Sequence, residues 1–172
     1  FLGGCDESPV PGGDEPKAEE LPDGSILLSS RCTGGRNFNI FTFSDTRSGQ
    51  GTWGQVAFSG SGNKGVTALS NACNGEVLLV PVTRKKDKKT MFLLLQSLPF
   101  GSGRANVGIY YKELSSLSDL KDVTAFASDW DGRHQASYIG SAYSTMIMQA
   151  NDSIAFFYEE ETYGKAYTNV YK

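Results

Sequence analysis

Hydrophobic and polar positions alternate along this chain in short runs that are too brief for helices. β-Branched and aromatic residues gather in stretches bounded by Gly, Asn, Asp and Pro, the mark of strands separated by turns. The pattern predicts strands over 15–21, 25–31, 37–43, 53–58, 66–72, 76–83, 90–98, 106–112, 143–149, 153–159 and 166–171. The stretch 113–127 is a weak helical candidate, but Ser and Asp dominate it and a loop fits it equally. The chain reads as all-β.

Three segments share one plan, a strand, a tight turn and a more apolar second strand. They are EPKAEELPDGSILLSSR (15–31), VTALSNACNGEVLLVPV (66–82) and YSTMIMQANDSIAFFYE (143–159), each 17 residues long. Asp23-Gly24 and Asn74-Gly75 are the dipeptides that two-residue hairpins favour. The copies begin 51 and 77 residues apart (66−15 and 143−66). Four-stranded units recurring at roughly 40–50 residues mark propeller blades, so about three blades are expected, with an inserted loop over 113–137 filling the longer interval.

Aligning the copies makes their ends informative. Glu15 and Arg31 take the first and last positions of copy one, Tyr143 and Glu159 those of copy three, and Val66 and Val82 those of the middle copy. First and last positions of a hairpin lie side by side at its open end, and in a propeller such ends converge on the central axis. Four polar groups would then face one shared site, although the pattern alone favours exposed strand ends without a role.

Composition narrows the classes. A chain of 172 residues with 39% hydrophobic and 20% charged residues is one globular domain. Net charge is −3, which disfavours nucleic-acid binding, since that chemistry carries a basic footprint. The one basic run, Arg84-Lys85-Lys86-Asp87-Lys88-Lys89, reads as a solvated turn between strands. No apolar run approaches the roughly 18 residues of a membrane span. Cys5, Cys32 and Cys73 are odd in number and lack ligand spacing, so neither a disulfide framework nor a metal site is expected. His134 is the single histidine, and a structural place for it outweighs a Ser-His-Asp triad. Gly60-Ser61-Gly62-Asn63-Lys64-Gly65 fits G-x-G-x-x-G, but a strand and not a helix is expected after it, so it reads as a flexible loop and not a dinucleotide site. Asn151-Asp152-Ser153 is a glycosylation sequon that a hairpin turn explains. Phe38, Phe41, Phe43, Phe156, Phe157 and Tyr158 are expected in blade packing, with Tyr110, Tyr111 and Tyr163 available to line a sugar site.

Several motifs together resemble the C-terminal half of the bacterial sialidase (exo-α-sialidase, neuraminidase) catalytic domain. Glu15-Pro16-Lys17, then Glu20-Leu21-Pro22-Asp23-Gly24-Ser25 and Leu28-Ser29-Ser30-Arg31, are similar to the family's stretch with a glutamate and the second of three arginines. Arg104 in GSGRANVGIYYK is similar to the third arginine. Tyr143 in SAYSTM is similar to the nucleophilic tyrosine, and Glu159 in FFYEE to the glutamate that steadies the first arginine. The order is kept, as are both 16-residue spacings (31−15 and 159−143). A blade-turn motif, Ser-x-Asp-x-Gly-x-Thr-Trp, is matched only loosely by Ser44, Asp45, Gly51, Thr52 and Trp53.

The resemblance implies about three four-stranded blades of a six-bladed β-propeller, spanning 1–172. It implies a retaining glycoside hydrolase that releases terminal sialic acid from glycoproteins, glycolipids or oligosaccharides without metal or cofactor. Arg31 and Arg104 would grip the sugar carboxylate, which a planar guanidinium meets in two parallel hydrogen bonds. Tyr143 would attack, a neutral phenol avoiding repulsion by the substrate's own charge; a tyrosine nucleophile is a known exception among glycosidases. A phenol with an ordinary pKa of about 10 needs a base nearby, and Glu15 would take that role.

Two family elements have no match here, the first arginine and the aspartate that protonates the leaving group. Asp6 and Asp14 lie too close to the Glu15 strand to replace that acid. The chain, which opens on Phe1, is therefore expected to be a fragment, inactive until an N-terminal half is supplied. By resemblance its setting is secreted, periplasmic or cell-surface. Trans-sialidase activity and a non-catalytic propeller that binds glycans or proteins are the alternatives.

Overall fold

The computed structural model describes residues 9–70, 72–116, 118–162 and 165–171. Cys5, Asp6 and Tyr163 lie outside the described residues. The chain folds into three antiparallel sheets in sequence order. The first holds β1 (Asp14–Glu20), β2 (Ile26–Cys32), β3 (Gly35–Asp45), β4 (Gln50–Trp53) and β5 (Ala57–Ser59). Both β4 and β5 pair with β3, so together they form one interrupted outer strand. The second sheet is β6 (Val77–Thr83), β7 (Thr90–Gly101), β8 (Ala105–Leu114) and β9 (Gly132–Gln135). The third is β10 (Ser141–Met148), β11 (Ile154–Thr162) and β12 (Lys165–Tyr171). The first strands meet across the sheets, β1 against β6 and β6 against β10, as blades do around a common axis.

This order corrects the expected repeat. The described residues of 66–72 form no strand, and Ala68 makes only an isolated bridge to Gly34. VTALSNACNGEVLLVPV is therefore not a hairpin; β6 pairs with β7. Asn74-Gly75 is not a turn dipeptide but the approach to β6. Gly75 is needed there because a Cβ would run into the Ser97 carbonyl. The innermost strands begin at Asp14, Val77 and Ser141, at intervals of 63 and 64 residues (77−14 and 141−77). The strand expected over 53–58 is interrupted at 54–56, between the end of β4 and the start of β5, and β9 carries no pattern strong enough to foresee. The insertion after β8 holds a 3-10 turn (Asp119–Lys121) and a short helix, α1 (Val123–Ala127). Asp122 caps α1 by accepting the Thr124 N–H at 2.8 Å. The glycine loop 60–65 is tied by Asn63, whose amide accepts from Gly60 N and donates to Phe58 O; the strand expected after it does not form.

Two apolar clusters join the sheets. Leu27, Phe38, Ile40, Leu94, Leu98 and Tyr110 pack between the first and second, and α1 adds Phe126 while Trp130 stacks on Phe38 at 6.3 Å. Val80, Leu95, Val107, Met146, Phe156 and Tyr158 pack between the second and third. Each fully buried side chain of this size stabilises by about 1.5–3 kcal/mol.

Beside them runs a buried polar seam. Arg36, wholly buried, donates from Nε to Ser29 Oγ at 3.0 Å, from Nη2 to Ser29 O at 2.9 Å and from Nη1 to Cys73 O at 3.1 Å. Ser29 Oγ donates to Gln96 Oε1 at 2.6 Å, and Gln96 Nε2 donates to Ser97 O at 3.1 Å. Ser97 Oγ accepts from Ser144 Oγ at 2.9 Å and from Glu76 N at 2.9 Å. The seam crosses all three sheets. Burial lowers the Arg36 pKa to about 10, and burial raises that of the Cys73 thiol to about 11.

Replacing Arg36 by Met should cost about 2–4 kcal/mol, because two buried carbonyls lose their donor. Urea unfolding midpoints measure this, and an unchanged midpoint would remove the seam from the account of stability. Cys73 should react with iodoacetamide at pH 8 on the order of 100-fold more slowly in the folded than in the unfolded chain, since so little thiolate is present. The native state keeps a Cys73 proton that the unfolded chain releases from about pH 9.0 up to about 11. Stability from this thiol is therefore complete below pH 9 and falls as pH rises through that window, and Cys73→Ala should flatten the slope.

Candidate active site

All five residues singled out in the sequence lie at one end of the sheets, where inner strands begin and second strands end. Glu15 opens β1, Arg31 closes β2, Arg104 sits in the turn from β7 to β8, Tyr143 opens β10, and Glu159 lies toward the end of β11. The two outer hairpins match in detail. Lys17 pairs with Ser29 and Thr145 with Phe157, both members shifted by 128 (145−17 and 157−29). Both hairpins then slip register toward the open end, to Asp14 opposite Arg31 and Ser141 opposite Glu160. A bulge thus includes Glu15 in one hairpin and Tyr143 in the other, displaced by one residue between the copies. A bulge re-aims the side chain that it carries, and at Glu15 it is made with φ of 40°.

Arg31 is the hub. Its Nη1 donates to Glu15 Oε2 at 2.5 Å and to the Tyr143 hydroxyl at 3.3 Å, and its Nε lies 3.9 Å from Asp14 Oδ2. The bond to Glu15, helped by Tyr143, holds the guanidinium above its ordinary pKa despite burial. The Arg104 guanidinium stands 5.2 Å from the centre of the Tyr143 ring, a cation–π distance. Its turn is held because Arg104 O accepts the Ser141 N–H at 2.9 Å, so the residue with φ of 62° is fixed against the strand that carries Tyr143. Glu159 Oε2 accepts the Tyr143 N–H at 3.4 Å. The structure thus gathers Glu15, Arg31, Arg104 and Glu159 about Tyr143, with Arg31 and Arg104 at its phenol, Glu159 at its backbone N–H and Glu15 joined through Arg31.

Sequence reasoning missed a layer below the phenol. Glu76 takes an ion pair from Lys17 at 3.2 Å and a hydrogen bond from Thr145 Oγ1 at 2.7 Å. It thereby ties β1 to β10 two residues past Glu15 and two past Tyr143. Lys17, Asn74, Thr145 and Glu159 line a cavity of about 210 Å³ beside Tyr143, and Asn74 Oδ1 is buried without a hydrogen-bond partner. The turn expected at Asn74-Gly75 hid these residues; the shift of 128 that relates Lys17 to Thr145 was the available signal.

Among the described residues no cluster of His, Cys, Asp and Glu could hold a metal, and no helix is long and apolar enough to cross a membrane. His134 lies on β9, the outermost strand of the second sheet, paired with Ile109. Cys32 and Cys73 are free thiols, half-buried and buried.

No protein-family model matches the chain, and no curated relative does. In fold it is similar to the solved structure of the intramolecular trans-sialidase from Ruminococcus gnavus in complex with oseltamivir carboxylate, with a TM-score of 0.53 and 19% identity. The match covers 94% of this chain and 32% of that one, so the chain spans about a third of that protein's length. Its three antiparallel sheets are consistent with part of a sialidase-like β-propeller fold.

Proposed function

We propose that this chain carries the nucleophile side of a sialidase site, acting on terminal sialic acid as an exo-α-sialidase. The observation that supports it most is the sharing of one arginine nitrogen, Arg31 Nη1, between the Glu15 carboxylate and the Tyr143 hydroxyl. The nucleophile and its base are thereby neighbours, while a second guanidinium, Arg104, stands over the phenol ring.

In this reading Arg31 and Arg104 receive the substrate carboxylate. The Tyr143 oxygen forms a bond to the anomeric carbon as its proton passes to Glu15. The bond from that carbon to the aglycone oxygen breaks, and the leaving oxygen takes a proton from an acid outside this chain. Water then cleaves the tyrosyl bond and Tyr143 regains its proton, so configuration is retained. Glu159 holds the backbone of Tyr143 and stands ready to orient the counterpart of the family's first arginine. That arginine and the acid belong to an N-terminal half of the ring, the partner the site requires. Transfer to an acceptor, including one within the substrate, is the second reading, favoured by the fold neighbour being an intramolecular trans-sialidase.

Incubation with a fluorinated sialosyl fluoride, which needs little acid catalysis, should add one sialosyl mass to Tyr143, and Tyr143→Phe should abolish the adduct. An unchanged mass both alone and with an N-terminal half supplied in trans would sink the tyrosine-nucleophile reading. Arg104→Lys should weaken binding of a sialic-acid analogue by about 10-fold or more in calorimetry, as two parallel hydrogen bonds become one point charge. The amide of the same analogue, which lacks the negative charge, should lose far less.

A further inference from the structure

The three sheets share a plan, so their first hairpin turns can be compared directly. In the first sheet the turn is Pro22-Asp23-Gly24, and in the third it is Asn151-Asp152-Ser153. Both are short, and neither contains a cation. In the second sheet the same position holds Arg84-Lys85-Lys86-Asp87-Lys88-Lys89, five cations against one anion. Turn formation in this fold therefore does not call for lysine.

The turn is built as a rigid support. Arg84 N donates to Lys89 O at 2.9 Å and Lys88 N donates to Arg84 O at 2.8 Å. The Arg84 guanidinium forks onto Asp87, with Nε to Oδ1 at 3.0 Å and Nη2 to Oδ2 at 2.6 Å, and reaches Glu113 from Nη1 at 2.8 Å. The hydrogen bonds from Arg84, with its charge a lesser aid, hold the Asp87 carboxyl down to about 2. Lys88 is kept at φ of 59°, a backbone position that Gly or Asn fills at lower cost. Arg84 thus occupies the carboxylates nearest the turn. Lys85, Lys86, Lys88 and Lys89 are all exposed, and among the described residues none of the four makes an ion pair. The turn also lies at the end of the sheet opposite the Arg31–Tyr143 cluster, because β6 leaves that cluster and β7 returns to it.

We propose that this lysine turn docks a linear anionic polysaccharide, one bearing sulfate or carboxylate groups along its length. Ammonium groups on flexible stems act as hydrated point charges, suited to a polymer of repeated anions and not to one shaped group. The patch is also narrow. Glu113 stands beside it, and Asp131 accepts the Glu113 N–H at 2.7 Å, so an acidic rim borders the turn. A broad planar anionic surface would meet that rim, whereas a single polymer chain can pass over the tip and avoid it. Placement away from the cluster leaves the site open while the polymer is held.

The test uses a fluorescently labelled heparin oligosaccharide and the whole chain, with binding followed by anisotropy over a salt series. The variant with Lys85, Lys86, Lys88 and Lys89 all changed to Gln should bind at least 10-fold more weakly. The slope of log affinity against log salt should also shrink by about 3, as expected when four neutralised anions are lost. Its thermal unfolding should match the parent, since the four side chains make no ion pair. Lys64→Gln combined with Lys121→Gln, which removes exposed lysines elsewhere, should leave binding unchanged. Equal loss in that control, or full binding by the quadruple variant, would overturn the proposal. So would tighter binding to vesicles of anionic phospholipid than to heparin at the same salt, which would assign the turn to a membrane surface.

Discussion

A guanidinium placed where water cannot reach it must find all its hydrogen bonds in the protein, and Arg36 does so with backbone and hydroxyl oxygens. Among the described residues it is bonded to no carboxylate, and Glu76 and Glu15 act on its charge only from a distance. Such a group tolerates little movement of its acceptors, because each lost bond leaves a buried polar atom unmet. Its acceptors come from β2 and from the segment that leads into β6. Through Ser29, Gln96 and Ser97 the same network reaches Ser144 on β10. Apolar packing draws the sheets together without direction; this seam sets their register against one another.

The site inherits that register. Ser29 lies two residues before Arg31, Ser144 directly follows Tyr143, and Cys73 directly precedes Asn74 at the cavity. Ser29, Ser144 and Cys73 thus join the seam to the cluster and its cavity through near neighbours in sequence. Side chains that must meet to within hydrogen-bond distance are carried by three separate sheets, and precision of that kind needs a support that is itself over-determined. Glu76 acts in the same way closer to the phenol, joining the strand of Glu15 to the strand of Tyr143.

Much of this was legible in the residues. The all-β class and most strands followed from short apolar runs between turn formers. The outer hairpins were readable to within one to three residues at each strand end because their repeat preserved length, and Glu15, Arg31, Tyr143 and Glu159 lie together at their open ends. The middle copy misled for a physical reason. Asn74-Gly75 has the composition of a hairpin turn, but its glycine serves close approach to Ser97 O instead. Local composition cannot separate those two uses, which differ only in what lies nearby in space. The same error hid Glu76 and Asn74. Short outer strands such as β9 have too few residues to carry a period, and α1 forms where Phe126 and Trp130 have a surface to cover.

The bulge shared by the two outer hairpins makes Glu15 and Tyr143 occupants of equivalent sockets. Arg31 and Glu159 fill a second equivalent pair, with opposite charge in each copy. Two related hairpins therefore present a carboxylate beside a cation in one place and a phenol beside an anion in the other. The main chain is adjusted in each, with φ of 40° at Glu15 and the bulge displaced by one residue at Tyr143. Such a ring can be retooled one socket at a time, its opposing groups staying in facing positions whatever they become.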